Sequence, residues 1–118
     1  MMADIPERSE LAPGLPISRV VTGLWQVADM ERDGTVLDPE RAAAGLAAYA
    51  EAGFDAFDMA DHYGSAELIT GQFNRMLGEG RVALPPGSRP AAFTKWCPEP
   101  GPMTPEVVRA AVDRARQR

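Results

Sequence analysis

A carboxylate, a phenol and an ammonium stand at similar places in this sequence, each just past an apolar run. Asp58 closes the run that begins at Phe54, and Tyr63 follows in the stretch Asp58-Met59-Ala60-Asp61-His62-Tyr63-Gly64-Ser65-Ala66-Glu67. Lys95 follows Ala92-Phe93-Thr94. The three together suit delivery of a proton to a carbonyl oxygen. A free phenol titrates near about 10 and is a poor acid at neutral pH. A neighbouring ammonium favours the phenolate and eases proton release, and a carboxylate paired with that ammonium holds it in place. Each residue taken alone has a plainer reading: a Tyr-Gly turn, an aspartate capping the turn after a strand, a solvated lysine. Their joint placement at successive strand ends is what favours chemistry.

The elements that must position them alternate. Arg19 to Trp25 is β-branched and apolar and predicts a first strand; Asp29 to Thr35 reads as a loop. Asp38-Pro39-Glu40 is a helix start, with an acceptor for free N–H groups and proline at the first helical position. Ala42, Leu46, Tyr49 and Ala50 then share one face, and Gly53 is the expected stop. Phe54 to Met59 is a second strand. Ser65 is placed to cap a second helix whose apolar face carries Ile69, Phe73, Met76 and Leu77. Ala91 to Trp96 is a third strand, and Thr104-Pro105-Glu106 opens a third helix with Val107, Val108, Ala111, Val112 and Ala115 inside. Residues 1–16, broken by Pro6, Pro13, Gly14 and Pro16, read as an irregular leader. Strand-helix alternation implies parallel strands with helical crossovers. Three such units leave sheet edges unpaired, so residues 17–118 are expected to be the N-terminal portion of a (β/α)8 TIM barrel, which runs to about 250 residues when complete.

Composition narrows the function classes. The 118 residues are 45% hydrophobic and 25% charged, as in an ordinary globular protein. A formal charge of −5 argues against a general nucleic-acid binder. No apolar stretch approaches the roughly 20 residues of a membrane helix, no secretory signal opens the chain, and a cytoplasmic location is expected. Cys97 is the only cysteine, so no internal disulfide can form; it shows no base partner in the sequence and reads as an incidental thiol. Asp58, Asp61, His62 and Glu67 lack metal-site spacing, and no metal site is expected. There is no G-x-G-x-x-G after a strand and no phosphate loop.

Gly23-Leu24-Trp25, the stretch from Asp58 to Glu67, and Thr94-Lys95 together resemble the aldo-keto reductase family, over about Ile17 to the end of the chain. The resemblance implies an NADP(H)-dependent oxidoreductase interconverting a carbonyl (aldehyde or ketone) and an alcohol. The family's catalytic Asp, Tyr and Lys fall on Asp58, Tyr63 and Lys95; Asp61 is a second carboxylate, but the family spacing to the tyrosine selects Asp58. The resemblance places Gly23, Leu24, Trp25 and Asp58 at the nicotinamide edge of the cofactor, and Trp25, Tyr63 and Trp96 around a small-molecule carbonyl substrate. Many members carry threonine where this chain has Leu24. The family's catalytic histidine and its phosphate-binding segment have no counterpart here, and His62 does not match the former, so the cofactor site is expected to be incomplete. The alternative reading is a non-catalytic or regulatory barrel, for which a potassium-channel accessory subunit is the family precedent, or an inactive truncated product. The 118 residues alone are expected to show weak or no reductase activity and poor stability.

Overall fold

The computed structural model describes residues 4–118, so the first three residues of the expected leader lie outside it. A hairpin of β1 (Arg8–Ala12) and β2 (Leu15–Ser18) comes first. Then follow β3 (Thr22–Gly23), α1 (Trp25–Met30), α2 (Pro39–Glu51), β4 (Ala56–Asp58), α3 (Ala66–Gly78), β5 (Ala91–Phe93) and α4 (Pro105–Gln117). Strands β3, β4 and β5 form a parallel three-stranded sheet in chain order. Thr22 stands opposite Phe57, and Asp58 lies between Gly23 and Phe93. This is the expected βα alternation, and the described residues form no closed barrel.

Helices α2 and α3 cover the sheet. Leu46, Ala47 and Ala50 of α2 meet Ile69, Phe73 and Met76 of α3 over Phe57, all within one buried cluster. The rings of Phe57 and Phe73 meet edge-on with centroids 5.4 Å apart, a favoured aromatic geometry. The expected starts of two helices are present: Asp38 accepts from Glu40 N–H at 3.1 Å, and Thr104 accepts from Val107 N–H at 3.2 Å. Gly53 follows the last turn of α2 with its N–H on Ala50 O.

Five expectations need correction. The leader expected to be irregular holds β1 and the first half of β2, in a hairpin that ends at Ser18. Pro13-Gly14 is its turn rather than a break, with Gly14 at φ +78, as a type II turn requires after proline. Buried Asp55, just before β4, binds this hairpin. Its carboxylate takes Arg8 Nη1 at 2.8 Å, Ser18 N–H at 3.1 Å and Ser88 Oγ at 2.7 Å. The hairpin is thus fixed to the end of β4 opposite Asp58. Secondly, the first strand is short. It pairs only at Thr22 and Gly23, and Trp25 begins a helix that runs into the segment expected to be loop. Leu24 N–H bonds Asp58 O at 2.9 Å, after which the chain turns away from the sheet.

Thirdly, Ser65 heads α3 without capping it through its side chain. Its hydroxyl donates to the carboxylate of Glu31, which also accepts Ser65 N–H. Fourthly, Tyr49 of α2 is exposed rather than on the inner face. Finally, α4 buries only Ala111; Val107, Val108 and Val112 are exposed because no further element covers that face among the described residues.

Candidate active site

The rim beyond the C-terminal ends of β4 and β5 gathers the three chemical residues. Asp58 is the last residue of β4, and the pairing of β4 with β5 sets it opposite Phe93. Two further backbone bonds continue the pairing past the strands, Met59 N–H to Phe93 O at 2.8 Å and Asp61 N–H to Lys95 O at 2.9 Å. Lys95 is thereby brought level with the loop after β4. Its ammonium lies 2.9 Å from both oxygens of Asp58 and 2.7 Å from Met59 O. The expected Asp58–Lys95 pair is present and bidentate. The lysine is held above the ordinary ammonium range, chiefly by its hydrogen bond to Asp58, with burial opposing. Both side chains are nearly half exposed, 46% for Asp58 and 45% for Lys95.

Tyr63 completes the group from the loop between β4 and α3. The ammonium of Lys95 stands 5.4 Å from the centroid of its ring. Trp25, first residue of α1, meets the tyrosine ring edge-on at 4.9 Å, and so does His62, its neighbour in the sequence, at 4.9 Å. This aromatic packing sets the tyrosine ring beside the cation.

The loop itself is fixed from α1. Glu31, at the end of that helix, accepts Ser65 N–H at 2.8 Å, Ser65 Oγ at 2.9 Å and Leu37 N–H at 3.0 Å. These bonds, the Leu37 N–H first, hold the Glu31 carboxyl below the usual range. Gly64 lets the chain pass this carboxylate: its φ is +52, and a Cβ there would lie 2.4 Å from Glu31 Oε1. Glu31 therefore holds the loop at Ser65, two positions after Tyr63. Only an acid in a short polar stretch marked it in the sequence.

The other expected residues divide. Trp25 is half exposed beside Tyr63. Trp96 lines a cavity of about 660 Å³ with Lys95, His62, Cys97 and Thr94, but Trp25 and Tyr63 are not among its walls. The three expected pocket aromatics thus do not share one cavity. Gly23 sits beside Asp58 with no atom within 4 Å of where a Cβ would stand. Leu24 turns its side chain into the core, and both its backbone groups are engaged, N–H with Asp58 O and C=O with Val27 N–H.

Sequence reasoning missed two features. Glu67 is 7% exposed, accepting Thr94 Oγ1 at 2.8 Å and pairing with Arg118 at 2.6 Å. Cys97, read as having no partner, lies with Asp61 and His62. Neither arrangement has a local signal, since each joins segments far apart in the chain.

Residues 19–118 match the family model described as "Aldo/keto reductase family". No curated protein and no solved structure matches the chain.

Proposed function

The chain belongs to the aldo/keto reductase family, and from that premise we propose that its sheet rim serves an NADP(H)-dependent interconversion of a carbonyl and an alcohol, with Tyr63 as the proton donor and acceptor. The observation that carries the proposal is the Lys95 ammonium, chelated by Asp58 at 2.9 Å and standing 5.4 Å from the Tyr63 ring. A carbonyl oxygen that takes on negative charge needs a positioned proton. The positive charge of Lys95 offsets the charge left on the phenol oxygen as the proton moves, and Asp58 keeps the lysine in place and balances it.

The residues present fit the flat end of a nicotinamide. The open space over Gly23 lets a ring approach the backbone beside Asp58, and Trp25 forms a wall next to Tyr63. Bound there, the cofactor would supply the hydride. Trp25 and Tyr63, in edge-on contact, would bound the substrate. We infer also that β3, β4 and β5 are the first three strands of an eight-stranded barrel. Family membership and their parallel, sequential order support this.

A second reading, a binding or regulatory barrel of the same family, has one observation in its favour. Asp58 and Lys95 are each nearly half exposed, and electrostatic catalysis is weakened by water. Incubating the intact barrel protein with NADPH and a panel of aldehydes and ketones separates the readings. The enzyme reading expects one alcohol formed per NADPH consumed for at least one carbonyl. NADPH bound without consumption across the panel would favour the regulatory reading.

A further inference from the structure

We propose that Asp61, His62 and Cys97 form a binding site for a divalent cation of the zinc class, which clamps the loop after β4 to the loop after β5. The three side chains each bring one ligand atom, and these atoms lie within 4.8 Å of one another. Tetrahedral zinc, with bonds of about 2.0–2.3 Å, spaces its ligands roughly 3.5 Å apart. His62 Nδ1 and Asp61 Oδ1 are already 3.2 Å apart, so only the thiol must move inward, by about an ångström on the same geometry.

Sulfur, imidazole nitrogen and carboxylate oxygen in one set suit zinc rather than calcium or magnesium, which take oxygen. Carboxylate and thiolate together neutralise a dication; the thiol proton leaves to solvent when the metal enters. All three groups are at least partly exposed, which leaves a coordination position for water.

The site is framed from both sides. Cys97 N–H donates to Asp61 Oδ2 at 3.2 Å, and Asp61 N–H donates to Lys95 O at 2.9 Å. The His62 ring is oriented by Trp25 at 6.1 Å and Tyr63 at 4.9 Å. The nearest cation in sequence, Lys95, is held by Asp58 and Met59 O. Arg114, Arg116 and Arg118 line the same cavity as the three ligands; Arg118 is paired with Glu67, and Arg114 and Arg116 reach it from the last turn of α4. None of Asp58, Tyr63 and Lys95 is a ligand, so the cation site and the proposed hydride chemistry can stand or fall separately.

Titration of the untagged full chain with Co²⁺, followed by absorption, tests the site. The expected result is saturation at one Co²⁺ per chain with a thiolate-to-cobalt charge-transfer band that Zn²⁺ bleaches. Cys97→Ser is expected to abolish the band, and His62→Gln and Asp61→Asn are each expected to weaken binding by more than about tenfold. As a second measurement, Zn²⁺ is expected to slow alkylation of Cys97 in the wild type and not in His62→Gln. No band, a band that survives both His62→Gln and Asp61→Asn, or alkylation indifferent to Zn²⁺ would overturn the proposal.

Discussion

Lys95 is the residue on which the geometry of the rim turns. Its ammonium joins Asp58, Met59 O and the tyrosine face in one place, so its charge is aimed rather than merely present. Lys95→Met in the intact barrel protein is expected to lower kcat for a carbonyl substrate by about a hundredfold or more, while NADPH binding changes little; steady-state kinetics with a cofactor-binding assay checks both. Glu31 acts one step further out. Glu31→Gln keeps the shape but loses a charged acceptor for the N–H groups of Leu37 and Ser65, at an expected cost of about 1–2 kcal/mol in urea unfolding. The acid limb should respond too. Because the folded-state carboxyl sits below its ordinary value of 4.5, its contribution is fully present above that value and is lost as pH falls through the lower, folded one. Wild type should therefore lose more stability than Glu31→Gln on acidification through that window; parallel slopes would remove Glu31 from this role.

At the scale of elements, the connections matter more than the strands, which are short. The β4–α3 loop holds Tyr63 only because Gly64 can adopt a positive φ under the Glu31 carboxylate. Gly64→Ala is expected to cost more than about 1 kcal/mol, and thermal unfolding should show a lowered Tm. The hairpin depends on Asp55 in the same way. Asp55→Ala removes the buried partner of Arg8 and Ser18, a loss of about 3 kcal/mol, and limited proteolysis should then cut first near Pro13-Gly14. What was legible in the sequence at this scale was local chemistry. Asp38-Pro39 and Thr104-Pro105 announce their helices because cap and proline act within one turn. Leader residues around Pro13-Gly14 hid a strand pair because the same dipeptide signals a break and a hairpin turn. Helix α1 was hidden because it is short and buries only Val27. The Glu31–Ser65, Asp55–Arg8 and Cys97–His62 contacts join distant segments, and one-dimensional spacing carries no trace of them.

For the molecule as a whole, the parallel order of β3, β4 and β5 carries Asp58 and Lys95 to one end and leaves the hairpin at the other. The candidate site was legible as residue types at strand ends; the exposure of α4 was not, because an apolar stripe reads the same whether it is covered or bare. Val108 and Val112 are solvent-facing, so Val112→Asp is expected to change chain stability by less than about 0.5 kcal/mol, whereas Ala111→Asp, at the one buried position of α4, should be clearly destabilising in denaturant unfolding. In the proposed function the rim carries the chemistry, and Tyr63 is the residue assigned the proton. Turnover of a carbonyl substrate by the intact barrel protein carrying Tyr63→Phe, measured at saturating NADPH, is the most direct test. The account predicts a fall of about a hundredfold or more with NADPH affinity retained; turnover equal to that of the wild type would contradict it.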